Sequence, residues 1–425
     1  MNKGKRVIWR ATKLTLAIFI AGFGFGCATG AKRIRHEIRT NYSANDPEFQ
    51  QSMSHLVGRP LLEGNRVKEL INGDEIFPAM LEAVRRAEKT ITFENWSWRS
   101  GKLSSEFVAA LSERARAGVK VHVLIDGMGT LSLEQRDLNE MRQAGVEFVK
   151  HNCLCLPNLF RVNYRDHRKL MVVDGKIGFI GGICITDKWL GNAEAPPLWR
   201  DTQFQVEGPV VAQMQGIFMQ NWLETRSEVL HGKAYFPVLE RAGFALAQCF
   251  GTGPGEGPEN ARLVFLYSIA AARKTIRLAQ SYFVPDNLAI EMLIAARKRG
   301  VKVEVITPGI IDLNLVRRAS RSRWGKLLKA GVEFYEYQPA RYHCKVMIVD
   351  DLWTTVGSVN FDDRSFRIND EANLNVLDKD FAEAQIKVFE LDKSKSRQMT
   401  SADYQKRPCH IKLLENLAGL FRSQL

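Results

Sequence analysis

The sequence predicts an α/β fold of two similar lobes, each a central mixed sheet flanked by helices, and three observations carry that prediction. Four landmarks recur in the same order in both halves. The first half has "AEKTITFENWSW" (87–98), "RARAGVKVHVLID" (114–126), "MRQAGVEFVKHN" (141–152) and a motif opening at His167; the second has "ARKTIRLAQSYF" (272–283), "ARKRGVKVEVITPG" (296–309), "LLKAGVEFYEY" (327–337) and a motif opening at His343. Helical periodicity that stops on a glycine feeds an apolar strand, as "FVAALSERARAG" does before "VKVHVLID". Repeated helix-to-strand units build a parallel or mixed sheet. A duplicated lobe pairs about a pseudo-twofold axis, which brings equivalent surfaces face to face.

Taken in order, residues 1–40 stand apart from the rest. Lys3, Lys5, Arg6, Arg10 and Lys13 precede the uncharged run "LTLAIFIAGFGFGCATGA" (14–31), after which Lys32, Arg33 and Arg35 restore the charge. That run is about the minimum that spans a bilayer as a helix. An anchor helix, a cleaved signal and a lipoprotein signal ending at Cys27 all fit. The "GFG" before Cys27 lacks the aliphatic residue of a lipoprotein cleavage box, which puts the anchor first. Gly22, Gly26 and Gly30 at four-residue spacing offer a helix contact for self-association, though glycines in such a segment also occur with no role. Basic residues flank both ends, so orientation stays open.

The first lobe is expected over 41–235 and the second over 236–425, with the glycine-rich "GTGPGEGPEN" (251–260) as a turn or linker. Over 425 residues, 45% hydrophobic and 25% charged content is ordinary for a globular protein with a large core. A net charge of +13 attracts polyanions, and phospholipid surfaces and nucleic acids both qualify. Seven cysteines are odd in number and lack framework spacing, and Cys153-Leu-Cys155 has no second pair or His cluster, so reduced thiols and no structural metal are expected.

Each half holds His-x-Lys, four residues and Asp: His167, Lys169 and Asp174, then His343, Lys345 and Asp350. After six intervening residues comes a small pair, Gly181-Gly182 and Gly357-Ser358. Two residues apart on a strand, His and Lys point to one face. These residue types suit phosphodiester chemistry. A neutral imidazole attacks phosphorus, and a protonated one gives its proton to the departing oxygen. Lysines hold the non-bridging oxygens as charge builds. Small residues let backbone N–H groups approach phosphate. One copy supplies half of this set, and two facing copies complete it. Glycosidase and metal-hydrolase readings fail for lack of paired acids or ligand clusters.

The paired HxKxxxxD motifs with their trailing G-[GS] resemble the phospholipase D superfamily, over nearly all the chain after about Gly64. "GNRVKELINGDEIFPAMLEAVRRAEKTITFENW", "WRDTQFQVEGPVVAQMQGIFMQNW" and "GSVNFDDRSFRINDEANLNV" resemble its bacterial cardiolipin synthases. The resemblance implies two phospholipase D-type lobes, one active site at their interface, a covalent phosphohistidine, and no metal or cofactor. By position it assigns His167 and Lys169 to the first motif and His343, Lys345, Ser358 and Asn360 to the second. Glu371, eleven residues after Asn360, matches an acid that orients a catalytic imidazole, and Asp201 of "WRDT" is its first-half candidate. Asp174 and Asp350 belong to the motif but are expected to be more structural than chemical. His167 is the expected nucleophile and His343 the acid, with the reverse order open.

The implied reaction is phosphatidyl transfer at an anionic phospholipid membrane, the bacterial inner membrane, with phosphatidylglycerol, phosphatidylethanolamine and water as acceptors to choose among. One departure stands out. The first motif runs Gly181-Gly182-Ile183-Cys184, so Cys184 replaces the phosphate-contacting Asn that the family pattern leads one to expect beside Gly182. A thiol is a weak donor. Rival readings are therefore a nuclease or other phosphodiesterase of the superfamily, and a weakly active binding protein. The apolar N-terminal run and the family-like stretches argue against nucleic acid. Cys344 faces away from the motif and reads as a core thiol. For membrane contact, "CLCLPNLFRVNYRDH" (153–167) is an interfacial lip or a packed loop. Arg317, Arg318, Arg321 and Arg323 with Trp324 form a head-group site or a solvated helix face.

Overall fold

The computed structural model describes residues 34–153, 163–255 and 257–424. The N-terminal apolar run with its glycine pattern, and most of the 153–167 loop, lie outside the described residues. The first half runs β1 (Leu62–Ile71), helix Asn72–Arg86, β2 (Thr90–Asn95), helix Lys102–Arg116, β3 (Lys120–Asp126), helix Gln135–Gln143, β4 (Glu147–His151), β5 (Leu170–Val173), β6 (Ile177–Gly181), β7 (Trp199–Arg200), β8 (Thr202–Glu207) and helix Val211–Arg226. The second half repeats this as β9 (Ala245–Thr252), helix Asn260–Ala271, β10 (Thr275–Gln280), helix Asn287–Lys298, β11 (Lys302–Ile310), helix Asn314–Lys329, β12 (Glu333–Tyr342), β13 (Lys345–Val349), β14 (Trp353–Gly357), the short helix Asp363–Arg367, β15 (Glu371–Leu377) and helix Lys379–Ser394. It then adds β16 (Ser396–Met399) and helices Ser401–Lys406 and Cys409–Gly419.

The strands join into one mixed sheet. From the first edge the order is β4-β3-β2-β5-β6-β8-β1, and from the other, inside the edge strand β16, it is β12-β11-β10-β13-β14-β15-β9. The two orders are the same, and equivalent strands β1 and β9 meet antiparallel in the middle. The pseudo-twofold thus runs between them. β2, β3 and β4 pair in parallel, whereas β5, β6 and β8 pair antiparallel, which makes each half mixed.

Among the described residues three large apolar cores hold the layers. One packs Phe77, Phe93, Trp98 and Phe107 under the first-half helices. A second does the same beneath the helices of the other half. The third draws on both halves, joining Phe204, Phe218 and Trp222 to Ala247, Tyr337, Phe381 and Phe389. The chain before β1 crosses over to the second half: Phe49 of helix Pro47–Val57 stacks on Tyr267 at 4.9 Å and meets the edge of Trp353 at 5.0 Å. Arg273 also donates to the Tyr42 carbonyl at 2.6 Å.

The motif aspartates fix the far ends of the site strands. Both have left-handed backbone, with φ of 54° at Asp174 and 53° at Asp350, a conformation that Asp tolerates. The Asp174 carboxylate accepts three backbone N–H groups, from Glu88, Lys89 and Thr90 at 2.7 to 2.9 Å. Asp350 accepts those of Arg273, Lys274 and Thr275 at 2.6 to 3.0 Å. Each lies seven residues beyond its histidine, roughly 20 Å along an extended chain.

Candidate active site

The two histidines are placed by backbone pairing between the halves. Asp166 and Asp370 form a parallel bridge, so that the His167 N–H donates to the Asp370 carbonyl at 2.8 Å. On the other side β7 pairs with the end of β12, and the His343 N–H donates to the Arg200 carbonyl at 2.8 Å. Asp370 and Arg200 are the residues just before Glu371 and Asp201. Each histidine is therefore tied to the chain that carries the opposite half's carboxylate.

The side chains complete the exchange. His167 Nδ1 lies 2.9 Å from both oxygens of Glu371, and His343 Nδ1 lies 2.8 Å from Asp201 Oδ2. Both carboxylates are fully buried. Burial pushes their pKa values up, but the imidazole beside each, the lysines and further donors outweigh it and hold both below the usual range. Glu371 accepts from Ser358 Oγ at 2.5 Å, Ser365 Oγ at 2.7 Å and Asn369 at 3.3 Å. Asp201 accepts from Trp189 Nε1 at 3.1 Å and the Thr202 N–H at 2.9 Å. An ionised carboxylate only accepts, so each Nδ1 carries the proton and each Nε2 the lone pair.

Burial, aided by the nearby lysines and opposed by the carboxylates, pushes both imidazoles down to about 4, so both are neutral near pH 7. Lys169 Nζ donates to the His167 carbonyl at 2.6 Å. Lys345 Nζ donates to the His343 carbonyl at 2.7 Å and to Ser281 Oγ at 2.9 Å, and sits 3.1 and 3.2 Å from the His343 ring nitrogens. Burial lowers both ammonium groups, Lys345 to about 8. The site thus concentrates two cations, two neutral imidazoles and two carboxylates at the seam between halves. Among the described residues no cluster of His, Cys, Asp and Glu has the arrangement of a metal site.

The small pairs differ for a geometric reason. A Cβ on Gly182 would lie 2.5 Å from Asp201 Oδ2, so the carboxylate occupies that space. At the equivalent Ser358 the hydroxyl is instead hydrogen-bonded to the longer Glu371. Asn360 Oδ1 accepts from Ser281 Oγ at 2.6 Å, which links it to Lys345. Its counterpart Cys184 is buried, and burial pushes its thiol up, so it stays protonated. Trp96 stands where Ser281 stands in the other half, its ring 6.2 Å from that of His167. The cysteine is therefore one of two changes at that corner.

Sequence reasoning missed the groups that serve the carboxylates. Trp189 and Ser365 each lie five residues beyond Cys184 and Asn360, so the repeat makes them equivalent, and each donates to its own half's carboxylate. That offset was readable, but the different chemistry hid it. Trp199 also flanks His343, with ring centroids 4.9 Å apart. Before His167, Asp126 accepts from Arg165 and from the Asp166 N–H, both at 2.9 Å, which fixes the approach to the motif. In the arginine-rich helix, Arg321 ion-pairs with Glu336, Arg323 donates to the Pro285 carbonyl, and Trp324 is buried. Arg318 remains exposed.

The sequence pattern of the "Cardiolipin synthase, PLD-like domain" matches residues 80–222 and 265–393, which include both motifs and both carboxylates. The chain is similar to cardiolipin synthase 1 of Bacillus anthracis, 31% identical over 92% of this chain and 78% of that protein. Cardiolipin synthase A of Pseudomonas fluorescens is 35% identical over 83% of this chain and 74% of its own. Among solved structures, phosphatidylserine synthase of Haemophilus influenzae Rd KW20 shares the fold, with a TM-score of 0.64 at 14% identity, covering 88% of this chain and all of that one. On the motifs, their meeting at one seam and these matches, the chain belongs to the cardiolipin synthase family of the phospholipase D superfamily.

Proposed function

We propose that this phospholipid phosphatidyltransferase makes cardiolipin by moving a phosphatidyl group between two phosphatidylglycerol molecules through a phosphohistidine. The observation that carries the reading is the crossed pairing of His167 with Glu371 and His343 with Asp201, beside two lysines. His167 Nε2 attacks phosphorus; the N–P bond forms and the bond to the glycerol oxygen breaks. Protonated His343 gives its proton to that oxygen, and free glycerol leaves. A hydroxyl of the second phosphatidylglycerol then attacks phosphorus as His343 takes its proton back, and the N–P bond breaks. Lys169 and Lys345 hold the non-bridging oxygens throughout. Ser358, Asn360, Gly182 and Cys184 line the phosphate. Asp174 and Asp350 act at a distance, by holding the site strands.

An entering phosphate brings negative charge to His343, which burial otherwise holds neutral, and so favours the imidazolium that donates the proton. Phosphatidylethanolamine is the second acceptor class. The enzyme works at a bacterial membrane, held by the 14–31 run. Among the described residues no helix is long and apolar enough to cross a membrane.

Vesicles of phosphatidylglycerol test the reading directly. Wild type should release glycerol and form a four-chain lipid, and His343→Ala should do neither; equal cardiolipin from both proteins would reject it. Rapid quenching followed by peptide mass spectrometry should find the phosphatidyl adduct on His167. An adduct on His343 would exchange the two roles.

A further inference from the structure

The C-terminal helix Cys409–Gly419 is built inside out. Its buried residues are Glu415, Ala418 and Gly419. Its leucines face solvent, with Leu413 60% and Leu420 75% exposed, and Leu417 and Phe421 about half exposed. Positions 413, 417, 420 and 421 recur at helical spacing, so these side chains form one continuous apolar stripe. The orientation is fixed by packing. A Cβ on Gly419 would meet Ser322 Oγ at 2.8 Å, Ala418 packs with Val284, Val316 and Ala319, and Glu415 pairs with Arg407. The leucines cannot turn inward without losing that close contact.

Two neighbours indicate what covers the stripe. Beside it a groove runs between this tail and the helices Asn287–Lys298 and Asn314–Lys329. Lys326, Lys329, Arg407 and Lys412 line it against Glu291 and Glu415. Beyond the stripe, the chain end reaches the approach to the catalytic seam. Asn163, four residues before His167, donates to Gln424 Oε1 at 2.9 Å, and Arg364, next to Ser365, donates to Asn163 Oδ1 at 3.0 Å and the Gln424 carbonyl at 3.2 Å.

We propose that helix Cys409–Gly419 and the turn through Phe421 form a docking surface for an anionic bilayer. The apolar stripe lies at the acyl boundary and the basic groove on the head groups. The inference rests on the phospholipid reading of the active site and names the surface that presents lipid to it. A second copy of the chain is a poorer occupant, because a symmetric contact would set each cationic groove against its identical partner.

The test uses the full-length chain in vesicles, with a photocrosslinking residue in place of Leu420 and, as a control, in place of Phe244, which is 89% exposed on the connection between halves. Lipid adducts are expected at position 420 in phosphatidylglycerol vesicles, fewer in phosphatidylcholine vesicles, and background at 244. Adducts at 420 no higher than at 244, or adducts to a second chain, overturn the proposal. In parallel, Leu417→Gln/Leu420→Gln/Phe421→Gln should lower turnover on phosphatidylglycerol vesicles on the order of tenfold. Turnover on dispersed short-chain phosphatidylglycerol and the melting temperature should not change. Equal effects on both substrates, or none on either, also overturn it. Wild type inactive on both substrates would instead reject the proposed reaction, and the adducts would still decide the docking surface.

Discussion

Two imidazoles held neutral by burial, each directed by a carboxylate from the far half of the chain, set the chemistry at the scale of single residues. Glu371→Gln or Asp201→Asn keeps a hydrogen-bond acceptor but removes the charge that fixes the tautomer and supports the imidazolium. Turnover on phosphatidylglycerol vesicles should fall by roughly a hundredfold to ten-thousandfold with the fold intact. The double variant His343→Ala/Asp201→Asn should be little worse than His343→Ala alone, because the two act as one unit. The same burial makes a stability prediction. His167 and His343 are pushed from the ordinary 6.5 to about 4, so between those values the unfolded chain binds protons that the folded site refuses. Their contribution is intact above pH 6.5 and is lost as pH falls toward 4. Across that window the melting temperature of the wild type should fall relative to that of His167→Gln/His343→Gln. Both proteins share the slopes of His122, which burial also pushes down to about 4, and of Glu94 and Asp362, which burial pushes up to about 7 and which act in the opposite sense. A drop of equal steepness in both proteins would remove the two site histidines as its cause.

Among the elements, the two site strands are anchored at opposite ends by different residues of one motif. Asp350→Ala deletes an acceptor shared by three backbone N–H groups and places alanine at positive φ. It should cost about 2 to 4 kcal/mol in chemical denaturation while leaving the turnover of folded protein within a few fold. Lost turnover at unchanged stability would show that the aspartate acts in the chemistry. These strands were legible because "LMVV" and "KVMIV" sit between a His-x-Lys opening and a left-handed Asp turn, and the repeat doubled every such signal. The crossing of carboxylates was not legible. His167 and Glu371 are 204 positions apart, and no periodicity reports which of two equivalent acids an imidazole meets. Packing alone likewise sends Phe49 to the second half, and the backbone edges of β1 and β9 fuse the two sheets.

For the whole molecule, the shared core and the continuous sheet predict a single unfolding event. Differential scanning calorimetry of the detergent-solubilised chain should show one transition; two separated transitions would mean that the halves are independent. Phe49→Ala empties a site between Tyr267 and Trp353 and should lower stability by about 3 to 5 kcal/mol. Its effect should reach activity through the second-half core, although Phe49 precedes β1. The crossed pairing has one more consequence, for the chain as it is being made. A newly synthesised first half holds His167 without Glu371 and Asp201 without His343, so neither imidazole–carboxylate pair can form. Under the proposed reaction, reactivity toward lipid switches on only when β15, which opens at Glu371, is in place, and a chain stalled before it carries His167, Lys169 and Asp201 without the means to open a phosphodiester.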